Sequence, residues 1–268
     1  MADAPGFPGG APGPGADRPV WLETSSMHLS FSISMSSVGW VKRYDQYCAV
    51  ARALDVVGDR WVLLIVRELL AFGPSRYSDL KRGLPGIASN LLADRLKTME
   101  SEGLIERREA PAPIGAPLYQ LTPRGLELED VLRALTRWGL PDMSSGPTRS
   151  DAVQPQWTAL FAGLTLTERL GAERMGAGRQ ITVGIRTGDA SVRATLGGQG
   201  RYRIERSPAG HDREPDVTLS GPAHLVGGVL SGLLTVTEAA DLGLEIDGRS
   251  DLLTDLVGPD HSETGTRP

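Results

Sequence analysis

Hydrophobic positions recur at helical spacing over residues 48–70, and one short polar break interrupts the pattern. Gly58 and Asp59 form the break, and these residue types end one helix and cap the next. The pattern therefore predicts two helices, the second over residues 60–71. The Gly-Pro pair at 73–74 predicts the end of that second helix.

A further amphipathic pattern lies between residues 87 and 104, after a short helix YSDLKRGL and a Pro-Gly turn. Its apolar face carries Leu92, Leu96, Met99 and Leu104, and its polar face carries Asn90, Asp94 and Lys97. A helix that buries one face in its own domain leaves the other face free. The segment has the pattern of a recognition helix.

Two short strands and a long helix follow. The runs LIERRE and LYQLT alternate in polarity and are joined by APAPIGAP, which predicts a β-hairpin wing. Residues 123–140 then predict a helix that begins at a proline. Its apolar surface exceeds what the end of a small domain needs, at Leu126, Leu128, Val131, Leu132, Leu135 and Trp138. The surplus indicates a dimer interface.

Stretches rich in Gly, Pro and Ser divide the chain. Residues 1–39 predict a disordered or mis-annotated tail, with Met1, Met27 and Met35 as alternative translation starts. The alternating HLSFSISM within it fits a functional arm or an over-extended start. Residues 142–155 predict a linker between domains at 40–141 and 156–258, and residues 259–268 predict a polar tail. The expected fold class is α+β, with an N-terminal winged helix-turn-helix.

Composition excludes several classes of protein. No run approaches the roughly 18 apolar residues of a membrane span, and no secretory signal opens the sequence. The single Cys48 excludes an internal disulfide. We therefore expect a cytoplasmic protein with no membrane partner.

Enzyme motifs are missing from the sequence. It contains no phosphate loop, no nucleophile elbow and no dinucleotide fingerprint. The histidines are scattered, at His28, His211, His224 and His261, and form no ligand cluster with one cysteine. We expect no catalytic residue, no metal site and no cofactor.

Charge is uneven along the chain, which has a formal net charge of −5. Residues 40–149 carry 16 Lys and Arg against 14 Asp and Glu, whereas the segments on either side are net negative. DNA binding needs only a local positive face. The weak excess permits a nucleic-acid partner but does not establish one.

Several motifs in the middle segment resemble one family. They are the Cys-to-Gly-Asp-Arg-Trp run at 48–61, Leu-Pro-Gly-Ile at 84–87 and Leu-Thr-Pro-Arg-Gly at 121–125. Together they are similar to the HxlR family of MarR-like winged-helix regulators of bacteria. The resemblance implies a homodimer whose recognition helices enter successive major grooves of a pseudo-palindromic operator, with the wings on flanking minor grooves or backbone.

The recognition helix supplies most of the candidate DNA contacts. Ser89 and Asn90 at its start suit a phosphate or a base edge, and Asn pairs bidentately with adenine. Lys97 and Arg95 are placed to reach phosphates or bases, although Arg95 has a bond within the domain as its alternative. Asp94 either accepts from a cytosine amine or marks the edge of the contact zone.

Arginines outside this helix are candidate phosphate contacts, which position a protein without reading sequence. They are Arg76, at the start of the preceding helix, and Arg107 with Arg108 on the wing. The alternative for the wing arginines is solvated strand charge.

Cys48 is a candidate redox site, because some HxlR-like regulators sense oxidants or electrophiles through a cysteine near the start of the first helix. Sensing would need a small thiol, an electrophile or a bridge to Cys48 of a second subunit. Arg52, one turn along, places a cation on the same side of the helix as the thiol, and a buried small hydrophobe is the alternative.

Residues 156–258 combine an opening helix, QWTALFAGLTLTERL, with strand-like runs and a closing segment from DVTLSG to GLEIDG. They resemble the sterol-carrier-protein-like domain, which implies a small sheet covered by helices around an apolar cavity. Its candidate lining, with plain core as the alternative, is Trp157, Phe161, Leu164, Leu225, Val229, Leu230 and Leu233.

The predicted function is a DNA-binding transcription regulator, a repressor, whose operator binding changes when an apolar small molecule binds the C-terminal domain. The alternative is a small-molecule carrier that uses the winged helix only to dimerise. Salt-dependent DNA binding separates the two, because neutralised phosphates make affinity fall with added salt.

Overall fold

The computed structural model describes residues 43–109, 115–143, 145–169, 180–197, 201–206 and 214–257. The predictions made for residues 1–39 and 259–268 lie outside the described residues.

The N-terminal half begins with four helices, which are α1 (Ala49–Val57), α2 (Val62–Phe72), α3 (Tyr77–Gly83) and α4 (Ser89–Ser101). The polar break lies between α1 and α2 as predicted, and the Asp59 carboxylate accepts a hydrogen bond from the Trp61 backbone N–H at 3.1 Å. Gly73 ends α2 with a positive φ of 67°, which glycine adopts without steric cost.

The N-terminal half also contains a small sheet. Its strands are β1 (Ser75–Arg76), which lies between α2 and α3 in the chain, β2 (Ile105–Glu109) and β3 (Pro117–Leu121), in the order β1-β3-β2. The antiparallel pairing of β2 with β3 confirms the predicted hairpin. No alternation of polarity marks β1, because two residues are too few to show a period of two.

The predicted helix over residues 123–140 is two consecutive helices, α5 (Pro123–Leu126) and α6 (Leu128–Gly139), followed by a 3-10 turn at Leu140–Met143. Thr122 caps α5 by accepting from the Gly125 N–H at 3.1 Å. A Cβ at Gly125 would overlap the Leu104 carbonyl, so the start of α5 packs directly on the end of the recognition helix segment.

The C-terminal half begins with α7 (Pro155–Arg169). Its strands are β4 (Gln180–Thr187), β5 (Ala190–Gly197), β6 (Tyr202–Arg206), β7 (Val217–Ser220) and β8 (Glu245–Gly248), and its other helices are α8 (Ala223–Ser231), α9 (Val236–Asp241) and α10 (Ser250–Val257). The strands form one mixed sheet in the order β6-β5-β4-β7-β8, in which β4 and β7 are parallel. Helices and strands in both halves agree with an α+β fold.

One hydrophobic core runs through both halves, and the described residues from Arg43 onward form one compact unit. Helix α7 contacts α2 and α6 of the N-terminal half, and β4, β5, β6 and α8 of the C-terminal half. Its Gly163 permits this close approach, since a Cβ there would lie 2.6 Å from the Tyr202 ring. The core is therefore continuous across the linker predicted at 142–155.

Candidate nucleic-acid interface

The first turn of α4 presents polar groups to solvent. Ser89 and Asn90 are both exposed, and the cap residue Ala88 makes no side-chain cap hydrogen bond. The N–H groups of a first helical turn have no partner within the helix, so they are available to an anion. The Tyr77 hydroxyl donates to the Ser89 carbonyl at 2.7 Å and fixes this end of the helix to α3.

The exposed face of α4 continues through Asp94 and Lys97, as the sequence predicts. Leu92, Leu96 and Met99 are buried on the opposite face. The packing therefore turns the polar stripe outward along most of the helix.

Arg95 lies at the side of α4 and is already paired. Its Nη2 is 2.7 Å from Oδ2 of Asp59, in the turn between α1 and α2, and its side chain is only 28% exposed. The bond within the domain, which was the alternative from the sequence, is present. A phosphate contact by Arg95 would require this ion pair to open.

The three-stranded sheet separates the two wing arginines. Arg108 and Arg76 both lie opposite Leu118 in the strand register, so the three residues form one row on one face of the sheet. Arg107 lies opposite Tyr119 on the other face, with its Nη2 3.9 Å from a Glu109 carboxylate oxygen. Strands β1 and β2 lie on either side of β3, so their backbones are two strand spacings, about 10 Å, apart. Arg76 and Arg108 are therefore neighbouring exposed cations on one face, which sequence reasoning did not foresee.

Exposed apolar side chains form two stripes away from the polar face of α4. The first is Val50 and Leu54 on α1 with Tyr47 just ahead of it, and the second is Val131, Leu135 and Trp138 along α6. Trp138 is 79% exposed, which is unusual for so large an aromatic ring. Part of the surplus apolar surface predicted for this helix is therefore exposed, and no residue that the structure describes covers it.

Cys48 is exposed and immediately precedes α1, so it is not the buried small hydrophobe that was its alternative. Its role as a redox site stays a prediction.

The candidate apolar pocket residues fall into three groups. Leu164, Leu225, Val229 and Leu230 are buried within the common core, and Trp157 and Phe161 are half-buried. Leu233 is 58% exposed, because it follows Gly232, whose left-handed backbone ends α8 and turns the chain outward. A cavity of about 380 Å³ lies elsewhere, at the β4–β7–β8 end of the sheet, and is lined by Arg186, Gly188, Ser220, Gly221, Gly243 and Glu245.

Two further searches concern the described residues alone. None of the helices described has the length and apolar character needed to cross a membrane. Within the same residues, no three His, Cys, Asp or Glu side chains cluster in a way that could hold a metal ion.

Comparison with known proteins places this geometry in a family. The model of the HxlR-like helix-turn-helix family matches residues 56–145. The uncharacterised HTH-type transcriptional regulator YvaP of Bacillus subtilis (strain 168) is 36% identical over 87 residues, which are 32% of this chain and 80% of YvaP. The HTH-type transcriptional regulator YodB of the same organism is 33% identical over 32% of this chain and 76% of its own length.

A longer relative matches the same part of the chain. The uncharacterised HTH-type transcriptional regulator Rv3095 of Mycobacterium tuberculosis (strain ATCC 25618 / H37Rv) is 38% identical over 34% of this chain and 56% of its own length. Because the match to YvaP exceeds 30% identity and spans most of that protein, the chain belongs to the HxlR-like helix-turn-helix family of DNA-binding transcription regulators.

Proposed function

We propose that this regulator acts as a homodimer on a pseudo-palindromic operator, with α4 of each subunit in a major groove. The observation that carries the proposal is the exposed first turn of α4, where Ser89 and Asn90 stand beside free backbone N–H groups. Major-groove readers of this class contact base edges with the N-terminal residues of the recognition helix.

Asn90 is the residue assigned to direct reading of a base. Its amide has both a donor and an acceptor, which match N7 and the N6 amine of adenine. Ser89 and the N–H groups of the first turn bind the adjacent phosphate. Lys97 then neutralises a phosphate further along the groove, and Asp94 lies at the edge of the contact.

Arg76 and Arg108 supply the flanking backbone contacts. Both are exposed on one face of the three-stranded sheet, and neither forms an ion pair with any residue that the structure describes. Two unpaired arginines, on strands whose backbones lie about 10 Å apart, can bind phosphates without first breaking an ion pair. Arg107, on the other face, contributes less because Glu109 competes for its guanidinium.

The stripes on α1 and α6 supply the dimer contact. Val131, Leu135 and Trp138 are exposed on one helix face. Contact of this apolar surface with water is unfavourable, so covering it with another apolar surface lowers the free energy. Soluble homo-oligomers are most often two-fold dimers, and two-fold symmetry matches a pseudo-palindromic operator. We assign this surface to the second subunit.

Repression and control by an effector complete the proposal. The dimer represses by occupying its operator, and the C-terminal half, which we take as sterol-carrier-like, binds an apolar effector that lowers operator affinity. Since Leu164, Leu225, Val229 and Leu230 are buried, an effector must open the core to reach them. A carrier that uses the winged helix only to dimerise is not favoured, because the relatives are transcription regulators.

The test is fluorescence anisotropy with the full chain and a duplex from upstream of its own gene, against a scrambled duplex, at two salt concentrations. The proposal predicts tight binding to the native duplex alone, with affinity that falls steeply as salt rises. Equal binding to both duplexes by a folded dimer would contradict a specific operator at that position, and binding to neither would contradict autoregulation.

A further inference from the structure

A buried carboxylate lies between the two halves of the molecule. Glu68 on α2 is only 2% exposed. Its Oε1 accepts hydrogen bonds from the Trp157 indole Nε1 at 2.6 Å and from Nη2 of Arg67 at 2.9 Å, and its Oε2 accepts from Nε2 of Gln156 at 3.4 Å. A charged group stays buried only when it is paired in this way.

The partners of Glu68 hold one another in place as well. The Arg67 guanidinium lies over the Trp157 ring, 4.2 Å from its centroid. Burial lowers the pKa of Arg67, and the Glu68 charge opposes that change. Arg67, Glu68, Gln156 and Trp157 therefore form one cluster, which we call the Glu68 cluster, between α2 and α7.

The cluster reaches the helix that precedes the recognition helix. A Cβ at Gly83, the last residue of α3, would overlap the Glu68 carboxylate, so α3 ends directly against it. The Gln154 side chain, just ahead of α7, donates to the Arg82 carbonyl at 3.1 Å. The start of α7 therefore contacts the C-terminal end of α3 in two ways, directly through Gln154 and indirectly through Glu68.

From α3 the contacts continue to the DNA-facing end of α4. The Lys81 ammonium donates to the Ile87 carbonyl in the turn before α4, and the Tyr77 hydroxyl donates to the Ser89 carbonyl at 2.7 Å. A continuous set of contacts therefore joins α7 to Ser89, next to the residue assigned to base reading.

We propose that Glu68 is a positioning residue through which the C-terminal half sets the orientation of α3 and the first turn of α4, and hence operator affinity. The proposal rests on DNA binding by α4. The match to the family model ends at residue 145, so the donors Gln156 and Trp157 lie in the part of the chain that the family model leaves unmatched. The coupling is a property of this chain's C-terminal half.

Two variants and their combination test the coupling. Glu68→Gln keeps the shape but removes the charge, and Trp157→Phe keeps the ring over Arg67 but removes the N–H donor. Each should lower operator affinity by about twofold to thirtyfold. The double variant should lose less than the product of the two, because Glu68→Gln weakens and Trp157→Phe removes the same charge-assisted hydrogen bond.

The sign of the Glu68→Gln effect separates positioning from simple electrostatics. Loss of a negative charge favours DNA binding on electrostatic grounds, whereas loss of positioning weakens it. Glu245→Gln removes the same charge from an exposed site on β8 and should not weaken binding. Arg206→Lys disturbs another contact between the halves, the Arg206 guanidinium 4.0 Å from the Phe72 ring centroid, and should leave affinity unchanged.

A measurement without DNA keeps the outcome independent of the proposed function. In Trp157→Phe without DNA, amide hydrogen exchange should become faster at residues 84–92. Faster exchange confined to α2 and α7, or unchanged affinity in Trp157→Phe, would overturn the coupling. Failure of the wild type to bind any duplex would overturn the proposed function, and hydrogen exchange would still decide the coupling.

Discussion

The two polar residues that open α4 lie where a helix can bind both a base and a phosphate. Asn90 is exposed, so its amide gives up no hydrogen bond of the fold when it turns to a base. Arg95, one turn later, is held by Asp59. The polar residues of α4 named here therefore divide into those free to bind DNA and Arg95, which pairs within the domain.

Asn90→Ala should weaken binding to the native operator by about 1–3 kcal/mol and relax the base preference at one position of each half-site. Binding to scrambled DNA and the salt dependence should stay the same, because every cation that binds a phosphate is still present. Competition with a panel of single-base operator variants measures the effect. An equal weakening on every sequence would show that Asn90 binds the backbone instead.

Arg108→Gln should weaken binding on all sequences, because it removes a cation that neutralises a phosphate. The slope of log affinity against log salt should become shallower by about 1 for each phosphate that is no longer neutralised. Arg107→Gln is the matched control, since it makes the same change on the same strand where Glu109 already pairs the charge. Titrations at four salt concentrations compare the two variants. Identical slopes for both would contradict the assignment of Arg108 to a phosphate.

Sequence reasoning at this scale succeeds for exposed residues and fails for a residue whose partners lie far along the chain. Helical spacing is sufficient to place Asn90 and Lys97 on the polar face of α4. Spacing cannot predict that Glu68 is buried, because its donors Gln156 and Trp157 lie 88 and 89 residues further along the chain. The charge of Glu68 within the apolar run VLLIVRELLAF was the one available signal.

Helix α6 has two faces with different roles. Leu132 and Arg133 are buried, and Arg133 donates to the Leu164 carbonyl of α7. Val131, Leu135 and Trp138 lie on the other face and are exposed. The same helix therefore holds the C-terminal half and presents the surface that we assign to the second subunit.

Trp138→Glu should convert the dimer to a monomer, because it places a charge in an apolar interface that must exclude water. Analytical ultracentrifugation measures the change, and thermal unfolding checks that the fold persists. Leu233→Glu is the control, since it alters another exposed large hydrophobe outside the stripes. A Trp138→Glu dimer of wild-type affinity would exclude this face as the interface.

Elements with a strong period were predicted well, and short or interrupted ones were not. The positions of α2, α4 and the wing strands follow the hydrophobic pattern closely, with α2 beginning two residues later than predicted. The separation of α5 from α6 at Glu127 was missed, because the apolar spacing continues through it. Strand β1 forms only through its pairing with β3, which no local signal reveals.

Helix α7 joins the two halves of the described structure. This helix shares a core with α2 and α6 as well as with the C-terminal sheet. A stretch rich in Pro, Ser and Gly predicts a linker from local composition, but composition does not reveal that the segments on both sides pack together. The sequence predicts two domains joined by a linker, and the buried residues on both sides of that linker share one continuous core.

The full chain should consequently unfold in one cooperative transition, with equal calorimetric and van't Hoff enthalpies. A chain ending at residue 150 should unfold at a lower temperature, since it leaves Glu68 without two donors and exposes the apolar side of α2. Differential scanning calorimetry of both chains tests this. Two separate transitions in the full chain, one matching that of the shortened chain, would contradict the shared core.

The central claim is that a symmetric dimer reads DNA through two copies of α4. Hydroxyl-radical footprinting of the operator, with the full chain bound, tests this claim most directly. We expect two equal protected regions, related by two-fold symmetry and about 10 base pairs apart from centre to centre. At a protein concentration that just saturates the wild-type footprint, Asn90→Ala should weaken protection in both regions together. A single protected region, or protection unchanged by Asn90→Ala, would contradict the account.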